Sequence, residues 1–359
     1  MKLLVVCPNL IGDTVMATPT FRALRAGFPQ AEIVAVVRPQ VAPVLDGGPW
    51  FNDRILFDAK SENRPLQTKS VIDRIQRFHP DIAVLLPNSF RSALLAWRGG
   101  ARRRVGYARG GRGLILTDRL TPPKDRFGRY VATPIVEYYL KLARHLNGPV
   151  DSLRTELYTT EGDEAAADLA WSRLGLECGG RPVVCLNTGG AFGPAKSWPV
   201  EHFAALGRRL AQERNASVLV LCGPGEREAA RSIVAQADHP LVVSLADQTL
   251  SIGLSKASVR RSALLVTTDS GPRHFAAPFD VPVLSLFGPT KIAWTRTYHP
   301  LAQHIFHQVP CGPCQRPICP LGHHRCMTNL TPESVYPIAA RMLRQPRVRM
   351  PESVACPPG

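Results

Sequence analysis

The sequence predicts an α/β protein built from two doubly wound parallel sheets, and three observations predict it. Short apolar runs alternate with helical stretches, the runs are continuously apolar instead of alternating, and the whole rhythm begins again near Arg181. A strand that reads as an unbroken apolar run is buried on both faces, which is the situation in a parallel sheet covered by crossover helices. The 359 residues suit two domains of about 150 to 180 residues each.

In the first half, KLLVVC (2–7) is followed by a helix from about Asp13 to Gly27, then by EIVAVV (32–37) and DIAVLLP (81–87). Each strand–helix–strand passage is a βαβ unit with a right-handed crossover. A helical stretch from Pro134 to Leu146 leads into NGPVDS (147–152), whose Gly and Pro mark a hinge. The first domain is therefore placed at 1–155. In the second, at 156–330, the runs are PVVCLN (182–187), SVLVLCG (217–223), ALLVTT (263–268) and PVLSLFG (282–288). Helices are expected near Pro199 to Arg214, from about Glu226, and after Ser270. The amphipathic stretch Pro332 to Leu343 predicts a C-terminal helix (331–345) packing back toward the first domain, and the Pro-rich residues 346–359 a loose tail.

A hydrophobic share of 45% with 20% charged residues is that of a globular protein and excludes disorder and fibrous repeats. The formal charge of +16, concentrated in Arg98 to Arg119 and Arg341 to Arg349, attracts polyanions without discriminating among nucleic acid, lipid headgroups and phosphorylated saccharides. A solvated basic face is the alternative reading. The opening MKLLVVCPNLIGD is interrupted at Pro8, Asn9 and Gly12 and is too short for a signal peptide. No run approaches the ~18 apolar residues of a membrane span. The expected location is cytoplasmic, touching a membrane surface at most.

Open parallel sheets bind ligands outside the carboxyl ends of their strands, and four loops there carry candidate residues. In PNLIGDTVMATP (8–19), Gly12 permits a tight turn and Asp13 opens the next helix, either as an N-cap or as a general base for an acceptor hydroxyl. In NTGGAFGPAKSWPVEHF (187–203), a small-residue loop offers backbone amides to a diphosphate and Lys196 offers a cation to a leaving group. In CGPGEREAA (222–230), Glu226 either caps a helix or accepts from ribose hydroxyls. In TTDSGPRHFAAPFDVPVLSLFGPT (267–290), Asp269, Ser270 and Gly271 open a helix with Pro272 in its first turn, and His274 follows as a phosphate contact or a packed residue. No GxGxxG follows the first strand and no GxxxxGK[ST] occurs, which argues against an NAD enzyme and a P-loop NTPase. Without an Asp-x-Asp pair, a departing diphosphate is expected to be balanced by Lys, Arg and helix termini, and no cofactor is expected for catalysis.

PNLIGDTVMATPTFRALRAGFPQAEI (8–33), GGAFGPAKSWPVEHFAAL (189–206), DSGPRHFAA (269–277) and LFGPT (286–290) together resemble glycosyltransferase family 9, the ADP-heptose:lipopolysaccharide heptosyltransferases, especially type II. The resemblance implies a GT-B fold, two Rossmann-like domains facing across a cleft, with the acceptor on the first and the nucleotide sugar on the second. It implies an inverting, metal-independent transfer of heptose from an ADP-sugar to an anionic inner-core lipopolysaccharide acceptor, made in the cytoplasm in peripheral contact with the inner membrane. Residue by residue, Asp13 is the base. Thr188, Gly189, Lys196, Glu226, Asp269, Ser270, Gly271 and His274 hold the donor, and Asn9, Gly12 and Arg91 are assigned to the acceptor. Pro272 and Arg273 depart from the family's pattern, so another nucleotide sugar or acceptor on the same fold stays open.

CGPCQRPICPLGHHRC (311–326) gathers Cys311, Cys314, Cys319 and Cys326 with two histidines. A structural zinc site and free thiols are both consistent with that spacing. The rival function of another class is a basic nucleic-acid-binding protein using this cluster as a knuckle. No aromatic-interleaved basic motif supports it, so no nucleic-acid partner is expected.

Overall fold

In the computed structural model, which describes residues 1–190 and 192–344, the apolar runs form strands that are buried along their length. Leu3, Leu4 and Val5 have no exposed surface, nor do Val184, Cys185 and Leu186. The described residues divide into two units, Met1–Tyr158 with Ala293–Thr297, and Thr159–Ile292 with the described residues from Tyr298 to Arg344.

The first unit runs β1 (Lys2–Val6), α1 (Ile11–Met16), α2 (Thr18–Gly27), β2 (Glu32–Val37), β3 (Asp53–Leu56), α3 (Thr68–Phe78), β4 (Ile82–Leu85), α4 (Phe90–Arg98), β5 (Arg103–Tyr107), β6 (Asp118–Leu120) and α5 (Ile135–His145). The second runs α6 (Glu161–Arg173), β7 (Val183–Asn187), α7 (Val200–Arg214), β8 (Ser217–Leu221), α8 (Arg227–Ala237), β9 (Val242–Ser244), α9 (Ile252–Arg261), β10 (Leu264–Thr268), β11 (Val283–Phe287), β12 (Ala302–Phe306), α10 (Arg325–Thr328) and α11 (Pro332–Leu343).

The sheet orders are β3-β2-β1-β4-β5-β6 and β12-β11-β10-β7-β8-β9. All neighbours are parallel, with Leu4 opposite Val34 and Ala83 in one sheet, and Cys185 opposite Leu265 and Leu219 in the other. Numbered within its own unit, each sheet has the doubly wound order 3-2-1-4-5-6. The order therefore reverses between β1 and β4 and between β7 and β10, and ligands bind at such switch points.

Three local expectations are corrected. The first helix is two helices, because Pro19 has no N–H to continue the ladder and Thr18 Oγ1 instead donates to Val15 O at 2.8 Å. Gly12, expected in a tight turn, lies buried inside α1 and is not among the glycines of positive φ. After Ser270 there is no α-helix but two 3-10 turns, Pro272–Phe275 and Ala277–Phe279. Pro278 cannot donate to the His274 carbonyl, so the α ladder stops there.

The C-terminal helix lies on α7 of its own unit, burying Val335, Tyr336, Ala339 and Met342. The Arg209 guanidinium sits 3.9 Å from the Tyr336 ring centroid, and Trp198 Nε1 donates to Leu330 O at 2.6 Å just ahead of the helix. An apolar stripe is buried against the nearest complementary helix face, and here α7 supplies it. The tail 346–359 lies outside the described residues. Among the described residues no helix is long and apolar enough to cross a membrane.

Candidate active site

At the first switch point, Asp13 is the third residue of α1 and half-buried. Leu10 holds the N-cap position and makes no side-chain cap bond, so Asp13 is not the cap that one reading of the sequence made it. Its charge is felt by Tyr139 of α5, whose phenol is pushed well up by burial and then by Asp13. In the same unit, loops after four parallel strands form a cavity of about 430 Å³, whose lining does not include Asp13. Asn9 follows β1, Arg38 follows β2, Lys60 follows β3 and Arg91 follows β4, and all four line it, as does Asp58. Asn9 and Arg91 thus share a cavity, whereas Gly12 is not among the lining residues. Arg38 and Lys60 escape sequence reasoning, because each is a lone cation in a loop and only the sheet order brings them together.

At the second switch point, the predicted residues converge more tightly. Lys196, in the 3-10 turn Pro194–Lys196, crosses from the loop after β7 to the loop after β10. Its Nζ donates to Asp269 O at 2.7 Å and to Asp269 Oδ2 at 2.9 Å. Thr290 Oγ1 donates to the same carboxylate oxygen at 2.7 Å, and Arg273 Nη1 lies 3.5 Å from Oδ1. Burial raises the Asp269 pKa, but the charges of Lys196 and Arg273 outweigh it and hold the carboxyl below its ordinary range. Arg273 is only 3% exposed and also donates through Nε to Ser285 Oγ at 2.9 Å. The departure from the family pattern at this position is therefore a buried counter-ion for Asp269.

Asn187, unassigned from sequence, ties the two loops together. Its Nδ2 donates to Thr267 Oγ1 at 3.1 Å and to Ser270 Oγ at 2.9 Å. Glu226 folds across the loop after β7. Its Oε2 accepts the Gly223 N–H at 2.8 Å, and Oε1 lies where a Cβ on Gly189 would be only 1.6 Å away. A side chain at 189 would therefore displace the Glu226 carboxylate from this position. His274 is 3% exposed and its pKa is pushed down to about 3, by burial first and by the Arg273 charge second. It is therefore neutral at physiological pH in this arrangement. Its Nδ1 and the buried Thr188 Oγ1 have no hydrogen-bond partner among the described residues. Leaving such atoms unpaired costs about 1–3 kcal/mol each, which a polar ligand would recover.

The cysteine loop lies against these same elements. Ala195 N–H donates to Pro317 O at 3.0 Å and Gln315 N–H to Pro289 O at 2.8 Å. Cys311, Cys314, Cys319 and Cys326 are free thiols, with Cys311 Sγ 3.8 Å from His323 Nε2. Backbone N–H groups, that of His324 foremost, lower the Cys319 pKa, whereas burial raises that of Cys326. Among the described residues no group of three or more His, Cys, Asp or Glu side chains is placed to hold a metal ion.

Residues 69–324 match the family model for glycosyltransferase family 9 (heptosyltransferase). The chain belongs to glycosyltransferase family 9. This family 9 transferase is 28% identical over 347 residues to lipopolysaccharide heptosyltransferase 2 of Salmonella typhimurium, covering 93% of this chain and 96% of that one. Its structure is similar to that of the Escherichia coli ADP-heptose lipopolysaccharide heptosyltransferase II, with TM-score 0.74 and 28% identity over 96% of this chain and 98% of that one. A family 9 glycosyltransferase from Veillonella parvula shares the fold at TM-score 0.82 and 21% identity, over 95% and 97% of the two chains. The two six-stranded sheets are those of the GT-B heptosyltransferases.

Proposed function

We propose that this transferase moves a heptose from an ADP-heptose to the anionic inner core of lipopolysaccharide, with inversion, and works at the cytoplasmic face of the membrane that carries the acceptor. One observation carries the reading. The second switch point presents the half-buried cation Lys196 and two buried polar atoms without hydrogen-bond partners among the described residues, Thr188 Oγ1 and His274 Nδ1, in a family whose relatives are named for ADP-heptose chemistry. The cavity at the first switch point, with Arg38, Lys60 and Arg91 against a single Asp58, suits an acceptor bearing carboxylate or phosphate groups.

In this reading Asp13 accepts the proton of the acceptor hydroxyl as its oxygen attacks the anomeric carbon. The bond from that carbon to the diphosphate oxygen breaks, and ADP leaves with the electron pair. Lys196 uses two N–H groups on Asp269 and has a third for the departing phosphate. Asp269 is already balanced by two cations, so it supports the pocket's charge instead of offering a ligand to a divalent ion. Glu226, with Oε1 over Gly189, suits a ribose hydroxyl, and the Asn187–Ser270 link fixes the loop beside it.

A thermal-shift series with ADP, UDP, GDP and CDP tests the donor. ADP alone should stabilise the protein, by about 2.7 kcal/mol at a hundred times its dissociation constant. A preference for UDP would overturn the assignment.

A further inference from the structure

We propose that the hairpin of residues 123–131, together with the loop after β5, docks this enzyme on an anionic lipid bilayer. The inference rests on the proposed function in one respect, that an acceptor carried on a lipid has to be met at a bilayer surface. The evidence for the surface itself is separate.

Pro122 and Pro123 end edge strand β6, and the chain then turns back on itself. Asp125 Oδ1 accepts the N–H groups of Phe127 and Arg129, both at 2.9 Å, while Asp125 N–H donates to Arg129 O at 2.8 Å. Gly128, at φ +74°, supplies the left-handed residue that the turn needs. Lys124 and Tyr130 close the stem as an antiparallel bridge. The turn is thus fixed by its own hydrogen bonds, without burying its tip.

At that tip Phe127 is 68% exposed, and Leu114 in the neighbouring loop is 89% exposed. Val131 and Tyr130 are exposed beside them. The two loops are joined where the Arg109 guanidinium lies 4.1 Å from the Tyr130 ring centroid. Single exposed apolar residues need no explanation, but here four lie on two loops that the Arg109–Tyr130 contact joins.

The patch is collared by cations. Residues 98–131 contain ten Lys and Arg against two Asp. Part of that charge is structural: Arg112 is buried and donates to Tyr107 O, Ser92 Oγ and Asn88 Oδ1, and Arg103 pairs with Asp118. By contrast Arg109, Lys124, Arg126 and Arg129 make no ion pair among the described residues. An apolar tip inside a basic collar matches a bilayer interface, where acyl chains accept Phe, Leu and Val and headgroups attract the cations. Single-stranded nucleic acid fits less well. Tyr130 is already covered by Arg109, Phe127 is flanked by Arg126 at 4.7 Å and Arg129 at 5.9 Å, and aliphatic Leu114 and Val131 offer nothing for a base to stack on.

The hairpin also leaves β6 at its carboxyl end, and the loop carrying Arg109 and Leu114 leaves β5 at its carboxyl end. In a parallel sheet that is the edge where Asn9, Arg38, Lys60 and Arg91 line their cavity. Docking there brings the cavity to the surface that holds a lipid-linked acceptor.

Co-sedimentation of the full-length protein with vesicles of phosphatidylcholine, with and without phosphatidylglycerol, tests the proposal. The parent should sediment with the anionic vesicles only, and salt should release it. Each basic residue at an anionic surface is worth roughly fivefold in partitioning, so Arg126→Glu with Arg129→Glu should lose about 30-fold or more. Phe127→Ser, which removes the exposed tip and touches no core, should lose about tenfold. Turnover of an ADP-sugar on a delipidated, water-soluble acceptor should stay unchanged in both variants. Vesicle binding that is insensitive to these changes, or to anionic lipid, would overturn the docking role. Equal, hairpin-dependent binding to RNA or to a lipid-free anionic saccharide would reassign the patch and overturn it too. Absence of ADP-sugar turnover in the parent would count against the proposed function and leave the vesicle result standing.

Discussion

The two sheets share one topology, yet their carboxyl edges are furnished in opposite ways. In the second unit Lys196, Asp269, Arg273 and Thr290 satisfy one another, and Asn187 ties the flanking loops together. In the first unit Arg38, Lys60 and Arg91 line an open cavity with one carboxylate among them. The first arrangement is prearranged, with its charges held by protein partners before any ligand arrives. The second keeps a net positive field for a ligand to neutralise. A fold that repeats itself therefore does not repeat its chemistry, because the sheet fixes only where loops gather and the loop residues decide what is gathered.

The largest expected effect separates the two edges by function. Asp13→Asn removes the base from the first unit and should lower turnover by about 10²- to 10⁴-fold. ADP binding, measured by calorimetry, should be retained because the second unit is untouched. Loss of ADP binding in that variant, or full turnover, would erase the division of labour.

Next comes the self-neutralised cluster. Asp269→Ala removes the carboxylate beside the guanidinium of Arg273, 3% exposed, and should cost about 3–5 kcal/mol in urea unfolding. A change below about 1 kcal/mol would mean that the cluster is not the prearranged element that the comparison makes it.

The smallest effect is a slope with pH. Burial first, and the Arg273 charge second, push the His274 pKa down to about 3, whereas in the unfolded chain it titrates near its ordinary 6.5. The unfolded state takes up a proton below about pH 6.5 and the folded state does not. The neutral-imidazole contribution is therefore fully present above 6.5 and is lost as pH falls toward 3, by roughly 1.4 kcal/mol per unit at most. His274→Gln should flatten the melting temperature between pH 6.5 and 5 relative to the parent. An unchanged slope would place the titrating group elsewhere.

Legibility followed burial. The strands that stood out, such as KLLVVC and SVLVLCG, are interior strands whose both faces are covered. Strands β3, β5, β6, β9 and β12 did not stand out; all but β5 lie at sheet edges, where partial exposure admits residues such as those of DRIL and DRL, and interior β5 opens on two arginines. The site divided in a similar way. Asp13, Lys196, Glu226 and Asp269 sit in the strand-to-helix connections or in the first turn of the helix that follows, so a strand–loop–helix reading reached them. Arg38 and Lys60 did not show, since nothing local marks a cation whose partners come from other loops.

The chain's own order of apolar runs determined two parallel sheets, because unbroken hydrophobic strands have to be covered on both faces. It also determined which loops lie at the carboxyl ends, since strand direction fixes that without further information. Tertiary structure alone decided that Arg273 balances Asp269, that the Glu226 carboxylate lies over Gly189, that His274 stays neutral and that α11 covers α7. Each of these depends on distances between segments far apart in sequence, and Coulomb, desolvation and contact energies depend on those distances and not on residue order.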